Sequence, residues 1–96
     1  MSPKNKKKLD IIRKKLDQID NQLLAIIKKR TSLVNEVVKL KENKSEIVDQ
    51  KRITSILKNI KIKSIKKNID PKITNRIWKN MIWSYINYER KNFKKK

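Results

Sequence analysis

Apolar residues recur along the first part of the chain in steps that alternate between three and four positions. This spacing places them on one stripe of a continuous helix and is the heptad pattern of helices that pack side by side. It predicts a long helix over about residues 7–42, which at ~1.5 Å per residue would extend for roughly 54 Å. The stripe consists of Leu9, Ile12, Leu16, Ile19, Leu23, Ile26, Leu33, Val37 and Leu40.

The rest of the chain predicts two shorter helices. Residues 42–46 lose the periodicity and are interpreted as a loop, after which Asp49 is a good N-cap for a second helix of about 17 residues. A basic connector over residues 63–68 leads to Asp70 and Pro71, a sharp start signal for a third helix of about 21 residues that ends near residue 91. The residues expected to face inward are Ile53, Ile56, Leu57 and Ile60 in the second helix and Ile73, Ile77, Met81, Ile82, Tyr85 and Ile86 in the third, where Trp78 and Trp83 extend the apolar surface.

This pattern predicts an all-α fold, with residues 1–96 as a single domain, a helical core over about residues 9–90 and basic tails at both ends. The chain has no glycine and only two prolines, which leaves little material for tight hairpin turns. Within one small chain, the two shorter helices cannot enclose the long helix. We therefore expect an intertwined homodimer in which the long helices pack along their stripes.

Composition narrows the possible chemistry. Cysteine and histidine are both absent, which excludes disulfides, zinc-finger sites, thiol nucleophiles and imidazole acid–base catalysis, so any catalysis must depend on charge and hydrogen bonding. No stretch approaches the roughly 20 apolar residues of a membrane span, and the basic N-terminus lacks the apolar core of a signal peptide. A cytoplasmic protein with no membrane partner is expected.

The formal net charge of +19 raises the alternative of a basic helical protein that binds nucleic acid. Lysine runs alone are weak evidence, because a biased composition would leave them as solvated helix faces. Only five of the 28 basic residues are arginines, whose planar guanidinium binds carboxylates with two parallel hydrogen bonds. The positions of the arginines favour a small anionic ligand over nucleic acid.

Arg30 occupies a position of the apolar stripe, seven residues after Leu23. A single charge in such a stripe commonly sets register or oligomeric state, so Arg30 alone does not define a site. Lys41 follows eleven residues later on nearly the same face, about 16 Å along the axis, and the two side chains could span a small dicarboxylate. Arg13 lies about 25 Å before Arg30 and could approach it only from the partner of an antiparallel dimer.

Two further charges have alternative explanations. Arg52, near the start of the second helix, could pair with a neighbouring carboxylate on the surface. Glu89 shares the inward stripe of Ile82, Tyr85 and Ile86 and could pair with a lysine at the helix end. A carboxyl group enclosed by apolar side chains can instead keep its proton and donate a hydrogen bond.

The segment LDIIRKKLDQIDNQLL at residues 9–24, the Lys29-Arg30 pair, the apolar residues Leu33, Val34 and Val37, and Lys41 together resemble the all-helical class of chorismate mutases over about residues 9–89. The resemblance implies an intertwined three-helix homodimer that converts chorismate to prephenate, the branch step toward phenylalanine and tyrosine. This Claisen rearrangement needs no nucleophile, metal or cofactor, because the protein holds a reactive conformer and stabilises charge that develops on the ether oxygen.

The resemblance also implies roles for individual residues. Arg30 would bind a substrate carboxylate, Arg13 would bind the other from the partner subunit, and Lys41 would contact a carboxylate and the ether oxygen. Glu89 would hydrogen-bond the same oxygen. Asp49 would lie near the ring hydroxyl, Arg52 would be a further site arginine, and Tyr85 would form part of the pocket wall.

Two positions depart from the family pattern. Ile53 stands where a glutamate commonly helps to bind the ring hydroxyl, and Tyr85 stands where some members carry a serine. An isochorismate pyruvate-lyase shares the fold and much of the basic site, and it is the alternative enzyme activity. We expect a monofunctional chorismate mutase.

Overall fold

The computed structural model describes residues 1–95, which form three α-helices and no strand. Helix α1 spans Pro3–Leu40, α2 spans Gln50–Lys66 and α3 spans Pro71–Asn92, and a short 3-10 turn at Lys44–Glu46 lies between α1 and α2. The prediction of an all-α chain with one long and two shorter helices is confirmed.

Two predicted helix ends differ from the observed ones. Helix α1 begins at Pro3 rather than near residue 7, because proline suits a first helical position and the Ser2 hydroxyl accepts a hydrogen bond from the Asn5 amide at 3.2 Å. Helix α2 continues to Lys66, so most of the predicted basic connector is helical. Lys96, the last residue of the predicted C-terminal tail, lies outside the described residues.

The starts of α2 and α3 follow the predicted capping signals. The Asp49 carboxylate accepts a hydrogen bond from the Arg52 amide at 3.0 Å, and the Asp70 carboxylate accepts one from the Lys72 amide at 2.9 Å. Pro71 occupies the first turn of α3, where its missing amide hydrogen costs nothing. Both N-cap predictions are confirmed.

The turn between α2 and α3 uses asparagine in place of glycine. Asn68 has a φ of 58°, the left-handed conformation that commonly ends a helix. The Asn68 amide donates to the Ile65 carbonyl, and the Ile69 amide donates to the Ser64 carbonyl at 2.9 Å. This Schellman arrangement satisfies the last carbonyls of α2, and asparagine is the residue that tolerates the conformation best in a chain without glycine.

Two compact units can be distinguished, one formed by Met1–Leu33 and the other by the described residues from Val34 onward. In the second unit, α2 packs against α3 around a small apolar core. The core consists of Ile47, Ile53, Ile82 and Ile86, with Val48, Ile56, Leu57 and Phe93 packed against it.

The prediction that Ile73 and Ile77 face inward is wrong for the single chain. Their side chains are 57% and 50% exposed. At ~100° per residue, Ile73 lies about 180° and Ile77 about 140° round α3 from the buried Ile82, so the face that packs on α2 cannot include them.

The first unit is a helical segment whose apolar stripe is not buried. Ile12, Leu16, Ile19, Leu23 and Ile26 are between 49% and 58% exposed. None of the three helices in the described part of the chain combines the length and the apolar composition that a bilayer span requires.

Candidate active site

The second unit contains an ion pair between Lys41 and Glu89. The Lys41 Nζ donates to Glu89 Oε1 at 2.9 Å, and the two side chains are 17% and 9% exposed. The chain carries 28 basic groups, and Lys41 is one whose side chain is paired with a carboxylate at a largely buried position. The contact joins residues 48 positions apart and confirms that Glu89 lies on the buried face of α3.

The local structure explains why these two groups meet. Lys41 follows the last residue of α1, and its amide donates to the Val38 carbonyl at 3.2 Å, which continues the helical path for one more residue. Glu89 lies three positions after Ile86 and seven after Ile82 on the buried face of α3. An isolated carboxylate at this depth would lose much of its hydration, and the ammonium group of Lys41 offsets that cost.

A second polar contact, one residue earlier in α3, joins that helix to the end of α1. The Tyr88 hydroxyl donates to Asn35 Oδ1 at 2.8 Å, and both residues are partly buried. The ring of Tyr88 also meets the ring of Tyr85 edge to face, with centroids 6.4 Å apart and planes at 87°. Sequence analysis did not identify Asn35 or Tyr88, although the three-residue spacing of the tyrosines placed their rings on one side of the helix.

Asp49 and Arg52 are brought together at the start of α2 by the cap bond between their carboxylate and amide. Both side chains are exposed. Ile53, which replaces the glutamate common in the family, is 8% exposed and belongs to the core with Ile82 and Ile86. This position therefore contributes packing to the second unit, and its side chain has no group that could bind a hydroxyl.

Arg13 and Arg30 lie in the first unit, on α1. The Arg13 side chain is exposed, whereas Arg30 is partly buried and has an interaction partner. Arg30 therefore has an environment different from that of the lysine before it, which is exposed.

The second unit thus presents a cation and a carboxyl group side by side, with an aromatic ring from Tyr85 on the same helix as Glu89. Such a pair can bind an anionic oxygen through Lys41 and exchange a hydrogen bond through Glu89. Over residues 1–95 no three acidic side chains come together in a way that could hold a metal ion.

The structure thus combines an all-α chain with a charged pair held between α3 and the residue that follows α1. The family model for chorismate mutase type II matches residues 12–90, and the chain belongs to this family. Comparisons with curated proteins and with solved structures gave no significant match.

Proposed function

We propose that the protein is a chorismate mutase that converts chorismate to prephenate. Membership of the family supports this activity at the level of the family. The observation in the structure that carries the proposal is the enclosed Lys41–Glu89 pair, because these are the two residues expected to contact the ether oxygen of the bond that breaks.

The reaction breaks a carbon–oxygen bond and forms a carbon–carbon bond within one molecule, and negative charge develops on the ether oxygen. A fixed ammonium group and a hydrogen-bond donor stabilise that charge more in the transition state than in the ground state. Lys41 supplies the first, and Glu89 supplies the second when it carries a proton. Lys41 and Glu89 are in contact in the structure, so the fold itself holds both groups at one place.

The remaining substrate contacts are proposed from the family resemblance. Arg30 would bind one carboxylate, and Arg13 from a partner subunit would bind the other. Asp49 would lie near the ring hydroxyl, Arg52 would be a further site arginine, and Tyr85 would form part of the pocket wall.

We also propose the intertwined homodimer. The exposed stripe of the first unit supports it, because five large aliphatic side chains at heptad spacing are each about half exposed in the single chain. Packing against the same stripe of a second copy would remove this surface from water and bring Arg13 to the partner's site.

The test is to incubate purified protein with chorismate and to follow prephenate formation without added metal or cofactor. The wild type should turn over, and Lys41→Met should reduce kcat/KM by about 100-fold, the loss typical of removing one group that stabilises developing charge. Lys39→Met is the matched control, because Lys39 is an exposed lysine in the last turn of α1, two residues before Lys41, and its replacement should leave the rate unchanged.

Two outcomes would contradict the proposal. One is absence of turnover in folded wild-type protein, and the other is equal activity in the Lys41→Met and Lys39→Met variants. Formation of salicylate and pyruvate from isochorismate, without turnover of chorismate, would assign the protein to the lyase activity of the same fold.

A further inference from the structure

The Tyr88–Asn35 hydrogen bond lies one residue from the Lys41–Glu89 pair along α3. Tyr88 and Glu89 are consecutive residues of α3. The partner of Tyr88, Asn35, lies near the end of α1, and the partner of Glu89, Lys41, directly follows α1. The two bonds therefore fix the same pair of segments at two points. Asn35 and Lys41 are six residues apart, about 9 Å along a helix, so the bonds resist both sliding and tilting of α3 against residues 35–41.

We propose that Tyr88 is a positioning residue that holds Glu89 and the ring of Tyr85 in their places in the site. The inference rests on the proposed function, since it assigns Tyr88 a role in the geometry of that reaction. It adds a residue pair, Tyr88 and Asn35, to the groups expected from the sequence.

The contacts of Tyr88 divide into two parts with separate effects. Its hydroxyl reaches Asn35 and sets the distance between α3 and the end of α1. Its ring meets the ring of Tyr85 edge to face at right angles, which restricts the rotation of the proposed pocket wall. Phenylalanine at position 88 would keep the ring contact and remove only the hydroxyl bond.

The apolar core of the second unit constrains mainly α2 and α3. Its clustered members lie in α2, in α3, directly after α3 and in the segment just before α2, whereas α1 contributes one buried residue, Val38, which lies outside that cluster. Side-chain packing of that core thus fixes α3 against α2, whereas the two polar bonds fix α3 against the residues that end α1. Loss of the Tyr88 hydroxyl would remove one of these two bonds and leave the Lys41–Glu89 contact without its neighbouring support.

A hydrogen bond elsewhere in the chain provides a matched control. The hydroxyls of Ser64 and Thr74 lie 2.7 Å apart and join α2 to α3, in a partly buried position. Thr74 is 15 residues before Glu89, about 22 Å along the helix, so its bond cannot fix the site directly. Thr74→Val removes one interhelical hydroxyl bond, as Tyr88→Phe does.

The experiment compares Tyr88→Phe, Asn35→Ala, the double variant and Thr74→Val in the full-length chain. Tyr88→Phe and Asn35→Ala should each lower kcat about tenfold with a smaller change in KM, since displacement of Glu89 weakens an interaction made in the transition state. The double variant should be no worse than either single variant, because both remove the same bond. Thr74→Val should lower the melting temperature to a similar extent and leave kcat unchanged.

Equal kcat in Tyr88→Phe and Thr74→Val would overturn the inference, as would losses that add in the double variant. A crystal structure of Tyr88→Phe gives a readout independent of turnover: the Lys41–Glu89 contact should lengthen beyond hydrogen-bond distance, and an unchanged contact would also overturn the inference. If the proposed function fails instead, wild type and Thr74→Val will both lack turnover of chorismate, which distinguishes the two failures.

Discussion

Replacing Arg30 by alanine is expected to lower kcat/KM for chorismate by about 10²- to 10³-fold, with the protein still folded. Arg30 interrupts an apolar stripe and is partly buried, and a guanidinium at such a position is suited to a bidentate contact with a substrate carboxylate. Steady-state rates of prephenate formation measure the effect, and circular dichroism follows the helical content.

Lys29→Ala is the matched control for Arg30→Ala. Lys29 is the preceding residue of the same helix, carries the same charge and is exposed. Both variants lower the net charge by one, so a general electrostatic effect on substrate encounter would appear in both. Similar rates in the two variants would exclude Arg30 as a substrate ligand. Arg30 would then have the role that a single charge in an apolar stripe commonly has, which is to set the register of the packed helices.

Mixing two inactive variants should restore activity if each site is shared between subunits. In the proposed homodimer a site takes Arg30 and Lys41 from one protomer and Arg13 from the other. When equal amounts of Arg13→Ala and Arg30→Ala are unfolded and refolded together, half of the dimers should be heterodimers. Each heterodimer has one intact site and one site with both defects. The mixture should therefore show about a quarter of wild-type activity.

The pairing of variants provides the control for this experiment. Arg13→Ala mixed with Lys41→Met should also recover about a quarter of the activity, because each site takes these two residues from different protomers. Arg30→Ala with Lys41→Met should recover none, because every site in their heterodimer retains one defect. Recovery in the last mixture, or in none of the mixtures, would contradict the shared site.

The local features of the fold were predictable from the sequence. Periodicity of three and four identified α1, and Asp49, Asp70 and Pro71 marked the starts of α2 and α3, because N-caps depend on neighbouring residues alone. The start of α1 was placed too late, since a lysine run carries no apolar periodicity although it is compatible with a helix.

Packing of the third helix was less predictable. Its apolar residues extend round more of the helix than one neighbour can cover, and the sequence did not show which of them α2 would bury. The structure buries Ile82 and Ile86 and leaves Ile73 and Ile77 exposed. In the same way, Ile53 departs from the family pattern in sequence, and only the fold shows that it is part of the core.

By itself, the sequence of this protein determined the helical class, the caps and the charged residues at unusual positions, because each of these depends on residues within a few turns of one helix. The tertiary structure decided which of the charges meet. Lys41 and Glu89 are 48 residues apart in the sequence, and Tyr88 and Asn35 are 53 residues apart. Contacts over such separations depend on how α3 packs, and the relative rotation of packed helices is set by the whole core rather than by any short segment.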